Sequence, residues 1–207
     1  MELFASIASA DPLNLAFELN RLSKWPRIHF DIEDGNFTPN LTFGQKTLAA
    51  VGKAISPRRL DVHLMTTDPF IFLEPVRECG AESVCAHREA LDYPLLFLNR
   101  ARALGLKAGL ALNPGIPLET IAPYLDAMDY LLVMTSEPDG KGEQLNPAAL
   151  AKAESAARAF SIPVIADGGL NQDAVKRLKK AGAAGCVLGR LIFSAENPLE
   201  KLKSLLS

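Results

Sequence analysis

Short apolar runs alternate with longer amphipathic stretches along the whole chain. The runs cover 3–9 (LFASIAS), 27–32 (RIHFDI), 59–65 (RLDVHLM), 83–87 (SVCAH), 107–113 (KAGLALN), 130–135 (YLLVMT), 162–167 (IPVIAD) and 185–189 (GCVLG). Most are β-branched or leucine-rich with little polar alternation, the pattern of parallel strands buried on both faces. The stretches between them predict helices over 12–23, 45–55, 70–79, 93–104, 118–125, 147–160, 172–181 and 198–206. Asp11 reads as an N-cap with Pro12 at the first helical position, and Asn171 as a second N-cap. Cys79-Gly80, Leu104-Gly105 and Ala181-Gly182 read as glycine stops. Eight strand–helix units in strict alternation predict a parallel sheet, and eight is the count that closes a barrel. The expectation is an α/β fold, a single (β/α)8 TIM barrel spanning 1–207 with no internal linker. An open doubly wound sheet is the rival, but the first turn, SASADP, lacks the glycine fingerprint of a dinucleotide site.

Composition narrows the function without naming it. The chain has 207 residues, 48% of them hydrophobic and 22% charged, with a net charge of −2. No basic excess points to nucleic acid, and no apolar run is long enough to span a bilayer. The start, MELFASIASAD, has no basic region ahead of an apolar one, so it does not read as a secretory leader. Cys79, Cys85 and Cys186 have no CxxC spacing and read as buried thiols, which suits a cytoplasmic protein.

The candidate chemistry sits at the predicted C-terminal ends of the strands, where barrels of this kind carry their active sites. Ser6 and Ser9 close the first strand. His29 and Asp31, two apart, share one face of the second, with Asp34 just beyond. His63 lies on the third strand, His87 and Glu89 at the fourth, Asn113 at the fifth, Thr135 and Ser136 at the sixth and Asp167 at the seventh. All three histidines fall on strands. If the shared face is the barrel interior, His29, Asp31, His63 and Asp167 converge. Two imidazoles and two carboxylates suit one divalent ion such as Zn²⁺, Mn²⁺ or Fe²⁺; taken singly, each residue also reads as a core histidine or a capping aspartate. Glycines cluster on three successive loops: Gly140 and Gly142 around Lys141, then Gly168-Gly169, then Gly189 before Arg190. Glycine lets backbone N–H groups approach a phosphate, so a small phosphorylated substrate is expected.

These residues also carry a resemblance. Ser6 to Asp11 (SIASAD) is similar to SILSAD, His29 to Gly35 (HFDIEDG) to HVDVMDG, and NFTPNLTFG from Asn36 to FVPNLTIG, all motifs of ribulose-phosphate 3-epimerases. Asp61 to Met65 matches DVHLM, Leu112-Asn113-Pro114 matches LNP, and Asp167-Gly168-Gly169 matches DGG. The chain therefore resembles the ribulose-phosphate 3-epimerase family over nearly its whole length. The resemblance implies a barrel of the ribulose-phosphate-binding type and a phosphoketose substrate. It implies one divalent metal on His29, Asp31, His63 and Asp167, with Asp31 and Asp167 as the proton-transfer pair. It places Ser6, Met65 and Met134 against the substrate. The implied reaction inverts C3 of a ketose phosphate, by default D-ribulose 5-phosphate to D-xylulose 5-phosphate. A proton leaves the carbon beside the ketone from one face and returns to the other, through a metal-stabilised enediolate.

Three positions depart from those motifs. Glu33 stands where the motif has methionine, which predicts an ion pair with Arg27 or Lys141, an added metal contact, or a changed substrate. The PGFGGQ stretch reads Pro138-Asp139-Gly140-Lys141-Gly142-Glu143, so Lys141 joins Glu33 as a candidate specificity residue. Gly189-Arg190 replaces Gly-Ser. A hexulose 6-phosphate epimerase, a phosphosugar lyase and a non-catalytic binding paralogue on the same barrel are the alternatives. The resemblance also implies a homo-oligomer, with Trp25 and the NFTPNLTFG segment as contact surfaces or as local packing.

Overall fold

The computed structural model describes residues 1–138 and 144–206. Eight strands close a barrel in chain order, each hydrogen-bonded in parallel to the next and β8 to β1. They are β1 (Glu2–Ser6), β2 (Arg27–Glu33), β3 (Arg59–Met65), β4 (Ser83–His87), β5 (Lys107–Leu112), β6 (Tyr130–Met134), β7 (Val164–Asp167) and β8 (Gly185–Leu188). The helices are α1 (Leu15–Arg21), α2 (Gln45–Ile55), α3 (Leu73–Glu78), α4 (Pro94–Ala103), α5 (Pro147–Ala159), α6 (Gln172–Ala181), α7 (Arg190–Phe193) and α8 (Pro198–Leu206).

Side chains on alternate strand positions divide into two buried sets. The larger set, including Phe30, Val62, Leu110, Leu131 and Val133, packs with the helices. The smaller set comprises Phe4, Cys85, Ala111, Tyr130, Leu132, Met134, Ile165 and Val187 and fills the barrel. Its strand parity is that of Asp167 on β7, so the functional candidates are inner-face residues. Register then sets their heights: Ser6 lies beside His29, Asp31 beside His63, Glu33 beside Met65, and Met134 beside Asp167.

The predicted caps form. Asp11 accepts a hydrogen bond from the Leu13 N–H, and Asn171 from the Ala174 N–H. Gly80, Gly105 and Gly182 all take positive φ after their helices, the left-handed stop that glycine tolerates. Strand β1 is shorter than its apolar run, because Ile7–Ser9 turns into a 3-10 coil at the barrel mouth. The predicted helix over 118–125 is instead a 3-10 helix, Leu118–Ala127, with Pro123 inside it. Proline has no N–H to donate and crowds the preceding turn, so a regular α-helix cannot run through it. Helix α7 was not predicted; at four residues it is too short for periodicity to show. Trp25 is buried and donates its indole N–H to the Leu3 carbonyl at 3.0 Å. It therefore packs locally and is not a contact surface.

Candidate metal centre and substrate cavity

At the C-terminal end of the barrel a cavity of about 320 Å³ opens between the strand ends. That is the small end of the range for ligand sites, so it fits a small substrate. Among the predicted residues, Ser6, Asp31, Glu33, Met65, Met134, Asp167, Gly168, Gly169, Gly189 and Arg190 line it. His29 and His63 lie fully buried beneath. Gly140, Lys141 and Gly142 lie outside the described residues.

The four predicted ligands converge. One ligand atom from each of His29, Asp31, His63 and Asp167 falls within 4.8 Å of all the others. His29 Nε2 is 3.1 Å from Asp31 Oδ1 and 3.6 Å from Asp167 Oδ2. His63 Nδ1 is 3.3 Å and 3.5 Å from the same two oxygens, yet this buried nitrogen makes no aligned hydrogen bond among the described residues. A buried polar atom without a partner calls for an explanation, and a cation at the centre of the four groups supplies one.

The other ring nitrogens fix how these imidazoles face. His29 Nδ1 pairs with Asp61 Oδ2 at 2.7 Å, and Asp61 also accepts hydrogen bonds from the Ser83 and Tyr130 hydroxyls. Asp61 therefore holds the proton on Nδ1 and leaves Nε2 for the centre, the usual arrangement of a carboxylate behind a ligating histidine. His63 Nε2 meets His87 Nε2 at 2.9 Å, and His87 Nδ1 lies 3.6 Å from Glu89. Burial pushes the His87 pKa down to about 4, so at neutral pH it is an uncharged partner for His63.

Electrostatics follow from this packing. Burial alone would lower His29 and His63, but the carboxylates outweigh it. Asp31 and Asp61 hold His29 well above the ordinary histidine value, and Asp167 and Asp31 raise His63. Burial likewise opposes ionisation of Asp31, yet the two imidazoles hold its carboxyl far below the usual carboxylate range. The Ser6 hydroxyl donates to Asp31 Oδ2 at 2.7 Å. Asp31 thus turns Oδ1 to the histidines and Oδ2 to Ser6.

Gly168 is required by close approach: its φ is +108°, and a Cβ there would stand 2.3 Å from Ser136 Oγ and 2.9 Å from the Ser136 backbone nitrogen. A Cβ on Gly189 would press on the Ser9 side chain, 2.3 Å from its Oγ. The Thr135 hydroxyl ties the Asp167 carbonyl at 2.9 Å and also bonds the Gly168 carbonyl, which clamps the Asp-Gly-Gly turn to β6.

Sequence reasoning did not single out Asp61 or Tyr130. Asp61 carried a signal, since it lies two residues before His63 and so shares its face. Tyr130 carried none, because its place depends on Gly109: a Cβ there would approach the Tyr130 ring to 2.7 Å. Gly109→Ala is expected to lower stability by about 1–3 kcal/mol through overpacking, measured by denaturant unfolding. A variant as stable as the parent would show that the ring yields freely. Of the pairings expected for Glu33, Arg27 is excluded, because it pairs with Glu2 and Glu82 away from the cavity.

The comparisons agree with this geometry. A sequence profile of the ribulose-phosphate 3 epimerase family matches residues 2–193. The ribulose-phosphate 3-epimerase of Mycobacterium bovis is 36% identical over 208 residues, covering 97% of this chain and 89% of that protein. That of Schizosaccharomyces pombe is 33% identical over 205 residues, with 97% and 90% covered. Among solved structures, KGPDC from Streptococcus mutans superposes with a TM-score of 0.74 at 13% identity, covering 99% of this chain and 95% of that one. A 3-hexulose-6-phosphate synthase does so with 0.69 at 21% identity, covering 99% and 98%; both likenesses concern the fold alone. With a match running almost from end to end, the chain belongs to the ribulose-phosphate 3-epimerase family of isomerases.

Proposed function

We propose that this chain is a divalent-metal-dependent 3-epimerase of a ketose phosphate, with D-ribulose 5-phosphate and D-xylulose 5-phosphate as its pair. The observation that carries the reading is the convergence of His29, Asp31, His63 and Asp167 within 4.8 Å at the floor of the cavity. His29 through Nε2, His63 through Nδ1 and one oxygen from each aspartate would hold the ion, and the donor set suits Zn²⁺, Mn²⁺ or Fe²⁺. When bound, the ion supplies positive charge for the oxygen on which negative charge develops as a proton leaves the carbon beside the ketone.

The residues of the chain do the rest. One of Asp31 and Asp167 removes the C3 proton from its face, and the other delivers a proton to the opposite face. One C–H bond is broken and another is made, with no net change in charge. On Asp31 the proton is held at Oδ2, the oxygen that Ser6 orients. Met65 and Met134 are buried in the cavity lining, where they would flank the reacting carbon and keep bulk water out. Gly168, Gly169, Gly189 and Arg190 receive the phosphate.

Proton NMR in D₂O tests the reading. Ribulose 5-phosphate should gain deuterium at C3 and yield xylulose 5-phosphate. Carbon–carbon cleavage products would favour a lyase, and no exchange at all would favour a binding paralogue. A hexulose 6-phosphate belongs in the same panel, because Glu33 puts a carboxylate in the cavity wall where the family motif has methionine.

Asp61→Asn is expected to weaken metal binding about 10–100-fold, measured by competition with a chromophoric chelator. An unchanged affinity would remove Asp61 from this role. The reading extends to a single-domain cytoplasmic protein that assembles as a homo-oligomer; sedimentation as a monomer alone at micromolar concentration would contradict the assembly.

A further inference from the structure

His87 is a fully buried titratable side chain that the reaction proposed above does not use. It closes β4 with its ring against two others. Phe37, from the segment after β2, packs on it with ring centroids 4.7 Å apart. The His63 ring is inclined to it by only 24°, with centroids 5.0 Å apart, and the two Nε2 atoms meet at 2.9 Å. Two ring nitrogens at that distance share one proton in a hydrogen bond, so one of them donates and the other accepts.

The surroundings decide which is which. His87 Nδ1 lies 3.6 Å from Glu89 Oε1, and that oxygen also accepts a hydrogen bond from the Asn113 N–H at 3.1 Å. The gap is too long for a good hydrogen bond, but it is short enough for charge to select the tautomer. A bare Nδ1 would turn its lone pair toward a carboxylate oxygen, whereas a protonated Nδ1 turns an N–H dipole toward it. The second arrangement is favoured, so the single proton of a neutral His87 sits on Nδ1 and its Nε2 is the acceptor. His63 then donates from Nε2, whether or not it also carries a proton on Nδ1.

This direction matters for the centre. With Nε2 spent as a donor, the nitrogen of His63 that can offer a lone pair is Nδ1, the atom 3.3 Å from Asp31 Oδ1 and 3.5 Å from Asp167 Oδ2. The reverse bond would leave a neutral His63 with its proton on Nδ1, where it excludes a cation. A second ring nitrogen held in this way is how ligating histidines are oriented. For His29 the holder is the Asp61 carboxylate; for His63 it is an imidazole, which orients the ring without adding another negative charge.

We propose that His87 is a positioning residue for the metal centre: protonated on Nδ1 toward Glu89, it accepts the Nε2 proton of His63 and so commits His63 Nδ1 to the ion. The inference rests on the metal-dependent reading above. Its first test is nitrogen NMR of Zn²⁺-loaded wild-type protein labelled with ¹⁵N-histidine, tractable because the chain has three histidines. His87 should show a protonated Nδ1 and a bare Nε2, and His63 a protonated Nε2. A proton on His87 Nε2 overturns the proposal. The second test measures Zn²⁺ affinity by chelator competition. His87→Phe keeps a ring against Phe37 but leaves the His63 Nε2–H buried without a partner, and it should bind Zn²⁺ about 10–100-fold more weakly. His87→Gln restores an acceptor and should recover most of that loss, which packing alone would not do. Wild-type affinity in His87→Phe, or an affinity in His87→Gln as low as in His87→Phe, overturns the proposal and leaves the metal-dependent reading intact. If His87→Phe does not fold, the wild-type spectrum decides. Wild-type protein that binds no Zn²⁺, Mn²⁺ or Fe²⁺ overturns that reading and this inference with it.

Discussion

Asp31→Asn and Asp167→Asn should each abolish interconversion of the two C3 epimers, with kcat falling by at least about 10²–10⁴-fold, the range for loss of one general acid–base group. Upper values are expected because both side chains also belong to the candidate metal group. Deuterium exchange separates the roles. Each variant retains one carboxylate, so each can exchange only the epimer whose C3 proton faces the group that remains. Asp31→Asn should therefore label one epimer and Asp167→Asn the other, at reduced rates and without crossover between them. The measurement is made at saturating metal, with bound metal quantified, so that loss of a base is not confused with loss of the ion. A variant that labels both epimers at comparable rates would overturn the assignment of its missing aspartate.

The fold was legible because parallel strands in a barrel are buried on both faces. Their apolar runs therefore stand out without any need for alternation. The errors have local causes. The run at the start of the chain extended beyond β1 because Ile7 is as buried as a strand residue although it sits in a 3-10 turn. The helix expected after β5 failed at Pro123, where the apolar pattern is helical but the backbone cannot be.

The candidate site was legible for a simpler reason. On a strand, residues two apart share a face, so His29 and Asp31 had to point together. The positions of His63 and Asp167 then followed from where their strands end. What surrounds those four residues was less visible. His87 was noticed as a strand-end histidine, but only the barrel's curvature brings its Nε2 to 2.9 Å from His63. Tyr130 reaches Asp61 across 69 residues of chain because Gly109 leaves room for its ring, and no local pattern encodes that. Asn40 and Thr42 sat in a segment recognisable by motif, but their bonds to Glu33 and Asp31 depend on the chain doubling back.

Stripping the metal with a chelator should abolish exchange, and restoring a divalent ion should recover it. Stability should follow. An ion held at a thousandfold excess over its dissociation constant stabilises by about 4 kcal/mol, which for a chain of this size raises Tm by roughly 8–16 °C. The gap in Tm between loaded and stripped protein should also widen with pH, and the signs can be worked out group by group. His29 and His63 have raised pKa values in the metal-free fold. Their contribution to the stability of the stripped protein is complete below the unfolded histidine value, about 6.5, and fades as pH rises through the folded values. The ion requires both imidazoles unprotonated at the ligating nitrogen, so its apparent affinity rises over the same window. Asp31 stays ionised throughout, because its pKa is depressed. The stripped protein therefore weakens as the loaded one gains, and the Tm gap should grow from about pH 6 upward until both histidines have lost their extra protons. Calorimetric scans with and without chelator across that range measure it. A gap independent of pH, or full activity in protein shown to be metal-free, would mean that the four converging side chains do not bind the ion on which the proposed reaction depends.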